Sequence, residues 1–174
     1  MPVSKRGGKK HSYLALILCA GRMDRGDDAV GPLCAAALEE RRIPARIVRG
    51  DTSELLEAWQ SAQCIIVVDA IVTGRTPPGT LHRVTAEDAA FQPETARCSA
   101  NGAGLAHAVK LGRVLKCLPA TLVLIGLEAG SFDWAATLSP AVAAAMPALV
   151  EAVVQEWRRL TDVRPQSTRR SSAA

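Results

Sequence analysis

Three apolar runs of strand length are separated along the chain by segments with helical periodicity, and this alternation allows very few architectures. The runs are Tyr13–Ala20, Cys64–Asp69 and Thr121–Leu127. Nearly continuous apolar strands are typical of a sheet that is buried on both faces. Their alternation with helices predicts an α/β fold with three layers, α/β/α, in which a mostly parallel twisted sheet carries helices on both faces.

Apolar periodicity also places the other elements of this predicted fold. Helices are expected at Asp28–Arg41, Ser53–Ser61, Asn101–Cys117 and from Ser139 to about Leu160, and two further strands at Arg46–Arg49 and Thr80–Val84. Asp27 or Asp28 is expected to cap the first helix and Ser53 the second, because short polar side chains accept hydrogen bonds from the first turn. A kink is expected at Pro147 of the last helix.

The length of 174 residues suits one domain with a sizeable core. We expect this domain at residues 13–161, between a basic flexible tail at 1–12 and a disordered tail at 162–174. Aromatic residues make up only 3% of the chain. The core is therefore predicted to be aliphatic, with Trp59, Trp134 and Trp157 as its few large side chains.

The positive charge of the chain is concentrated near its ends. The formal net charge is +4, and without seven basic residues in or beside the tails the remaining chain carries −3. These seven are Lys5, Arg6, Lys9, Lys10, Arg164, Arg169 and Arg170. Because the body lacks a basic excess, the sequence predicts no nucleic-acid partner.

The five cysteines are odd in number and form no CxxC pair. This pattern is typical of a reducing compartment, so we expect a cytoplasmic protein without disulfides. The basic N-terminus followed by Tyr13–Ala20 also resembles a secretory signal. The apolar run is short and leads directly into an acidic segment, which favours a first strand instead. No apolar stretch is long enough to span a bilayer, so no membrane association is expected.

Two acidic segments follow predicted strands. One runs from Asp24 to Gly31 after the first strand, and the other is Val67–Ala70 at the end of the second. Because the carboxyl ends of neighbouring parallel strands border one crevice, Asp28 and Asp69 are candidates to converge there. Two carboxylates suit a cation or the activation of water. Asp28 has an alternative role as a helix cap.

Several common catalytic motifs are missing from the sequence. The loop at residues 21–26 lacks the lysine of a P-loop, and its aspartates would repel a dinucleotide pyrophosphate. No GxSxG or HExxH segment occurs. These absences argue against nucleotide binding by these motifs, against a serine-hydrolase elbow and against a zinc-protease helix.

An ordered set of motifs resembles the [NiFe] hydrogenase maturation proteases, endopeptidases that trim the C-terminal extension of the hydrogenase large subunit. The resemblance covers about residues 13–158. The motifs are the acidic loop Gly21–Gly31, the strand end Val68-Asp69-Ala70, the turn Pro78-Gly79-Thr80-Leu81, the helix start Ser99–Leu105, the strand end Gly126-Leu127-Glu128 and the helix start Leu138-Ser139-Pro140.

The resemblance implies a set of site residues. The family has three metal-contacting positions, which correspond here to Asp28, Asp69 and Asn101, and Asn101 stands where the family has histidine. Asp28 and Asp69 are also the implied catalytic residues, and Gly26, Asp27 and Gly102 are the implied substrate-binding residues. Nickel is implied as a metal recognised in the substrate, and the implied partner is a hydrogenase large-subunit precursor.

The first loop also departs from the family pattern, with Arg22, Asp24 and Ala29 in place of asparagine, leucine and glycine. Together with Asn101, these departures leave three hypotheses: an active maturation endopeptidase, a proteolytically impaired family member that acts as an assembly or binding factor, and an unrelated small α/β enzyme or ligand-binding domain.

Overall fold

The computed structural model describes residues 13–86, 97–98 and 104–162. In chain order its elements are β1 (Tyr13–Ala20), a 3-10 turn (Gly26–Ala29), α1 (Val30–Glu40), β2 (Ala45–Val48), α2 (Thr52–Ala58), a second 3-10 turn (Trp59–Ser61), β3 (Ala62–Val72), β4 (Leu81–Thr85), β5 (Arg97–Cys98), α3 (Gly104–Val114), β6 (Thr121–Glu128) and α4 (Pro140–Asp162).

The strands form one sheet in the order β2-β1-β3-β6-β4, with β5 paired to β3 outside this path. The central strands β1, β3 and β6 run parallel, and Ile66 of β3 lies between Ile17 of β1 and Val123 of β6. The edge strand β4 is antiparallel to β6. The sheet is therefore mostly parallel, as predicted, and its three central strands are the three apolar runs of the sequence.

Alternate residues of the central strands face opposite helical layers. On β1, Ile17 belongs to the core beneath α1 and α4, whereas Leu18 belongs to the core beneath α2 and α3. This follows from the two-residue period of a strand. The predicted three-layer α/β/α fold is confirmed.

Two predicted helix starts are wrong in detail. Residues 26–29 form a 3-10 turn, so α1 begins at Val30, and neither acidic side chain of that turn caps it. The cap of α2 is Asp51, whose carboxylate accepts a hydrogen bond from the backbone N–H of Glu54 at 3.0 Å. Ser53 instead donates its hydroxyl to Asp51. The helix starts one residue before Ser53, so this serine already lies within its first turn.

The strands β2, β4 and β6 each differ from the predicted bounds by one residue at one or both ends, and the larger differences concern β3 and β5. β3 continues beyond Asp69 to Val72, and its last two residues pair with β5, which the sequence did not predict. A two-residue strand has no detectable period, so only the pairing reveals it.

The last helix, α4, runs through Pro147 to Asp162. The kink at Pro147 stays a prediction.

The tryptophans divide between core and surface. Trp59 is buried and Trp157 packs partly buried against the core, as expected, but Trp134 is 62% exposed. The prediction that Trp134 is a core residue is wrong.

Cys19 and Cys34 are buried free thiols that contact each other. The hydrogen bond between them and the burial of Cys19 both raise the pKa of Cys19.

The predicted tail at 1–12 lies outside the described residues, and so does the predicted tail at 162–174 except for its first residue, Asp162, which ends α4. No helix in the described part of the chain is both long and apolar enough to cross a membrane.

Candidate active site

Asp69 lies near the carboxyl end of β3, in the middle of the sheet. It pairs with Gly126 of β6, and the preceding residue, Val68, pairs with Cys19 of β1. The strand period directs Asp69 to the side of the sheet that carries α2 and α3. Only glycine fits at the paired position 126, because a Cβ there would lie 2.2 Å from the Asp69 carbonyl oxygen.

Asp28 reaches the same edge from the turn that follows β1. This 3-10 turn packs against β3, and the Asp28 carbonyl accepts a hydrogen bond from the backbone N–H of Arg22 at 3.2 Å. Gly31 allows the approach, because a Cβ at this position would lie 1.9 Å from the Ala20 carbonyl oxygen. The first turn of α1 can therefore pack directly on the end of β1, which fixes Asp28 beside the central strands.

The two carboxyl groups interact electrostatically. Both residues are only 2% exposed. Burial, followed by the charge of Asp28, raises the pKa of Asp69 well above its ordinary range, and a hydrogen bond from the Ala70 N–H at 2.8 Å only partly opposes this. Asp69 is therefore stabilised in its neutral form, as expected for a carboxyl group in a poorly solvated site beside another acid. The sequence predicts that these two residues converge with their side chains at least partly exposed in a cleft. They do converge, but the predicted exposure is wrong, because both are buried.

An acid pair of this kind has two chemical uses. Oxygen donors on neighbouring side chains can share a cation, which would relieve their mutual repulsion. A carboxyl group with a raised pKa can also exchange a proton with water or with a leaving group near neutral pH.

Asp27 is a structural residue in this arrangement. Its side chain has no exposed surface, and both of its carboxylate oxygens accept hydrogen bonds from the loop after β6. The donors are the backbone N–H groups of Gly130 at 2.7 Å, Ser131 at 3.0 Å and Ser139 at 2.7 Å, and the Ser139 hydroxyl at 3.0 Å. Asp27 therefore joins the loop after β1 to the loop after β6. The substrate-binding role that the resemblance implied for Asp27 stays a prediction.

Gly26 is also a structural position. Its φ of 50° lies in the left-handed region, and a Cβ would lie 2.8 Å from the Ser131 carbonyl oxygen. Gly26 is buried between the two loops. Glycine is the residue that fits this contact between the loops. The substrate-binding role that the resemblance implied for Gly26 stays a prediction.

Asn101 and Gly102 lie outside the described residues. The described residues that flank them are attached to the same edge of the sheet. Cys98 pairs with Ile71, two residues beyond Asp69, and the Gly104 carbonyl accepts a hydrogen bond from the Thr52 hydroxyl at 3.2 Å.

A further acid at this edge was not predicted as a site residue. Glu128 ends β6 and is 2% exposed, and it accepts hydrogen bonds from the backbone N–H groups of Thr73 and Gly74 and from the hydroxyls of Thr73 and Thr76. The ring of His82 lies 3.0 Å from its Oε2. Burial opposes the charge on Glu128, but these hydrogen bonds outweigh it and lower its pKa. The signal in the sequence was a charged residue at the end of a buried strand.

Comparison with known proteins agrees with this fold. The family described as hydrogenase maturation protease matches residues 34–156. The hydrogenase 2 maturation protease of Escherichia coli K12 is 31% identical over 150 residues, which cover 82% of this chain and 90% of that protein. The hydrogenase expression/formation protein HupM of Azotobacter chroococcum is 30% identical over 150 residues, 78% of this chain and 71% of the relative.

Solved structures show the same fold. The hydrogenase maturating endopeptidase HybD from E. coli superposes with a TM-score of 0.69 and 28% identity, over 84% of this chain and 93% of that one. The [NiFe] hydrogenase maturation protease HybD from Thermococcus kodakarensis gives a TM-score of 0.65 at 21% identity, over 82% and 98% of the two chains.

This chain belongs to the hydrogenase maturation protease family. Membership supports a peptidase activity and argues against the third hypothesis, an unrelated α/β enzyme or ligand-binding domain. The first two hypotheses both describe members of this family.

Proposed function

We propose that this protein is an endopeptidase that removes the C-terminal extension of a nickel-loaded [NiFe] hydrogenase large-subunit precursor. The observation that carries the proposal is the pair of buried, electrostatically coupled carboxyl groups of Asp28 and Asp69 at the carboxyl edge of the sheet. In a chain of this family, such a pair is the arrangement that could both contact a cation and move a proton.

In this proposal the nickel ion is part of the substrate. Asp28 and Asp69 supply two oxygen donors, and a cation between them would stabilise the charged form that burial disfavours. Within the described ranges 13–86, 97–98 and 104–162, no group of three or more His, Cys, Asp or Glu side chains could hold a metal ion. The proposal therefore draws the remaining ligands from Asn101 and from the precursor itself.

The hydrolytic step would use the same pair. Docking of the precursor would bring one peptide bond beside Asp69 while its nickel contacts the carboxylates. Ionised Asp69 would accept a proton from a water molecule as the water oxygen attacks the carbonyl carbon. The resulting neutral carboxyl group would return that proton to the amide nitrogen as the C–N bond breaks.

The test is an incubation of the protein with a purified precursor, nickel-loaded or nickel-free, followed by mass spectrometry. We expect the loaded precursor alone to lose its C-terminal extension, and Asp28→Asn and Asp69→Asn to abolish the loss. Asp162→Asn is a matched control, because Asp162 is an exposed acid at the far end of α4. Equal cleavage of the nickel-free precursor would refute the role of nickel.

The second candidate is an assembly or binding factor without proteolytic activity. Asn101 favours it, because an amide oxygen is a weaker ligand for nickel than the imidazole of the family pattern. This candidate predicts that the loaded precursor binds but keeps its extension.

Replacing Asn101 by histidine separates the two candidates. If Asn101 contacts the nickel of the precursor, we expect Asn101→His to tighten precursor binding in calorimetry and to keep or raise processing. If Asn101 caps its helix instead, the variant should lose about 0.5–2 kcal/mol of stability without any gain in nickel affinity.

A further inference from the structure

An exposed tryptophan lies between two arginines beside the acid pair. The ring centroid of Trp134 is 5.0 Å from the guanidinium carbon of Arg22 and 4.7 Å from that of Arg25. Trp134 is 62% exposed, and Met23, between the arginines in sequence, is 60% exposed. We call these four residues, Arg22, Met23, Arg25 and Trp134, the Trp134 platform.

The backbone around Trp134 holds it in this exposed position. Ala135 has a φ of 57°, a left-handed conformation that a residue with a Cβ adopts at an energetic cost. Its N–H donates to the Asp24 carbonyl at 2.9 Å, and the Gly26 N–H donates to the Ala136 carbonyl at 3.2 Å. The platform is thus joined across two loops by backbone hydrogen bonds, which restrain the backbone that carries the Trp134 ring.

The arginines of the platform differ in how far they are paired. Arg22 donates two hydrogen bonds to Asp24, at 3.0 and 2.8 Å. Arg25 has a buried Nε that no acceptor among the described residues satisfies. The two guanidinium charges are matched in number by the adjacent acids Asp24 and Asp133. Among the described residues Asp24 forms its ion pair with Arg22, and Asp133 accepts a hydrogen bond from the Ser131 hydroxyl, so Arg25 is the platform guanidinium that has no salt bridge to a carboxylate.

The platform adjoins the candidate active site. The Arg22 N–H donates to the Asp28 carbonyl at 3.2 Å. Hydrogen bonding to Asp24 and the charge of Asp24 raise the pKa of Arg22, and the charge of Asp28 adds to this increase. A molecule that covers Trp134 would therefore lie next to the loop that carries Asp28.

We infer that the Trp134 platform is a docking surface for a segment of the folded precursor that combines an acidic side chain with an apolar one. The inference rests on the proposed function for the identity of this partner. The apolar side chain would pack against Met23 and the part of the Trp134 ring that the arginines leave exposed, and the carboxylate would pair with Arg25. Rigid tryptophan and arginine side chains are the residues that most often dominate the binding energy of protein interfaces.

The charges near the platform disfavour a nucleic acid as its occupant. A base could stack on Trp134, but its phosphates would lie near Asp24, Asp28 and Asp69. A protein segment with one carboxylate fits the local balance of charge better.

The test measures the Kd of the full-length protein for the nickel-loaded precursor by calorimetry. We expect Trp134→Ala and Arg25→Gln each to weaken binding at least about 10-fold. The controls are Leu115→Ala, an exposed apolar residue just beyond α3, and Arg158→Gln on α4, and both should bind like the wild type. Thermal unfolding of every variant verifies the fold.

A salt series and the processing assay complete the test. The Kd of the wild type should rise with salt between about 50 and 500 mM, and that of Arg25→Gln should rise less, because screening acts on the pair that this variant lacks. For processing, the KM of Trp134→Ala should rise about 10-fold while kcat stays within about two-fold.

The outcomes separate this inference from the proposed function. Binding without cleavage by the wild type refutes the protease and leaves the docking surface standing, provided that Trp134→Ala weakens binding. Wild-type affinity in both platform variants overturns the docking surface even if the precursor is cleaved. A wild type that neither binds nor cleaves overturns both. Binding of a single-stranded oligonucleotide that requires Trp134 would also overturn the inference.

Discussion

Asp69 is a carboxyl group whose charged form is disfavoured by its own burial and by the neighbouring charge of Asp28. A group whose pKa is raised on folding contributes its full stabilisation below its ordinary pKa and loses that contribution as the pH rises through the folded value. Asp69 should therefore lower the stability of the fold progressively as the solution becomes less acidic. A buried acid at this position therefore fits a functional role better than a stabilising one.

Replacing Asp69 by asparagine should separate these two effects. We expect Asp69→Asn to lower the rate of precursor processing at least about 100-fold, because the amide cannot exchange the proton. Its Tm relative to the wild type should rise with pH between about pH 4 and pH 8, since asparagine has no charge to desolvate. Thermal unfolding across this range measures the effect. A variant with a lower Tm throughout would show that the carboxyl group is structural.

Glu128 shows the opposite behaviour. Its pKa is lowered by hydrogen bonds from Thr73, Gly74 and Thr76 despite its burial. The stability that its charge contributes is present above its ordinary pKa and is lost as the pH falls through the lower folded value. We expect Glu128→Gln to lose about 1–3 kcal/mol at neutral pH, because charged acceptors make the stronger hydrogen bonds.

This loss should shrink below about pH 4, where the wild-type side chain also begins to lose its charge. Chemical denaturation at neutral and acidic pH measures the difference, with the exposed Glu57→Gln as control. An equal loss at both pH values would mean that the charge is not what holds the loop after β3.

Single residues were where sequence reasoning failed most often. The apolar character of Trp134 predicted burial, but the left-handed turn at Ala135 directs it to the surface. The position of Asp27 at a helix start predicted a cap, but its hydrogen-bond donors come from a loop more than 100 residues away. Long-range contacts of this kind leave no local signal in a sequence.

At the scale of elements, the close packing of α1 on β1 determines where the acid pair forms. The contact depends on Gly31, which has no room for a Cβ against the Ala20 carbonyl. We expect Gly31→Ala to destabilise the protein by at least about 3 kcal/mol, since backbone rather than a flexible side chain must move. It should also impair processing, because the turn that carries Asp28 would shift with the helix.

The matched control is Gly112→Ala in α3. A Cβ there would meet the side chains of Leu118 at 2.9 Å and Trp59 at 3.1 Å, which can adjust, and alanine favours a helix by up to about 1 kcal/mol. Urea denaturation should therefore show a much smaller change for Gly112→Ala. Similar losses in both variants would contradict the close packing of α1 and β1.

The central elements were predictable because their residues are buried on both faces of the sheet, which leaves continuous apolar runs. The short elements at the edges of the sheet were harder to predict from the sequence. β5 has two residues, and its existence depends on pairing with the end of β3. The acid pair was predictable because parallel strands place their carboxyl ends together whatever their order in the sheet. Its deep burial depends on how tightly the turn after β1 packs, which no pattern reports.

At the scale of the whole molecule, the charge of the chain is separable from its fold. Deleting residues 1–10 and 165–174 removes six basic residues and no acidic one, so the formal net charge falls from +4 to −2. We expect the Tm to change by less than about 3 °C, because neither segment belongs to the predicted domain and short termini usually bury little apolar surface. Thermal unfolding of the truncated protein measures this, and a fall of many degrees would assign a tail to the core.

The carboxylate of Asp27 has a consequence for how variants of this protein can be recombined. It belongs to the loop after β1, yet it satisfies backbone N–H groups of Gly130, Ser131 and Ser139 in the loop after β6. A chimera that inherits one loop from a relative and the other from this chain would bury a carboxylate or three amides without partners unless the relative presents the same geometry. The two loops therefore depend on each other. A chimera that exchanges partner specificity between relatives has to exchange both loops together.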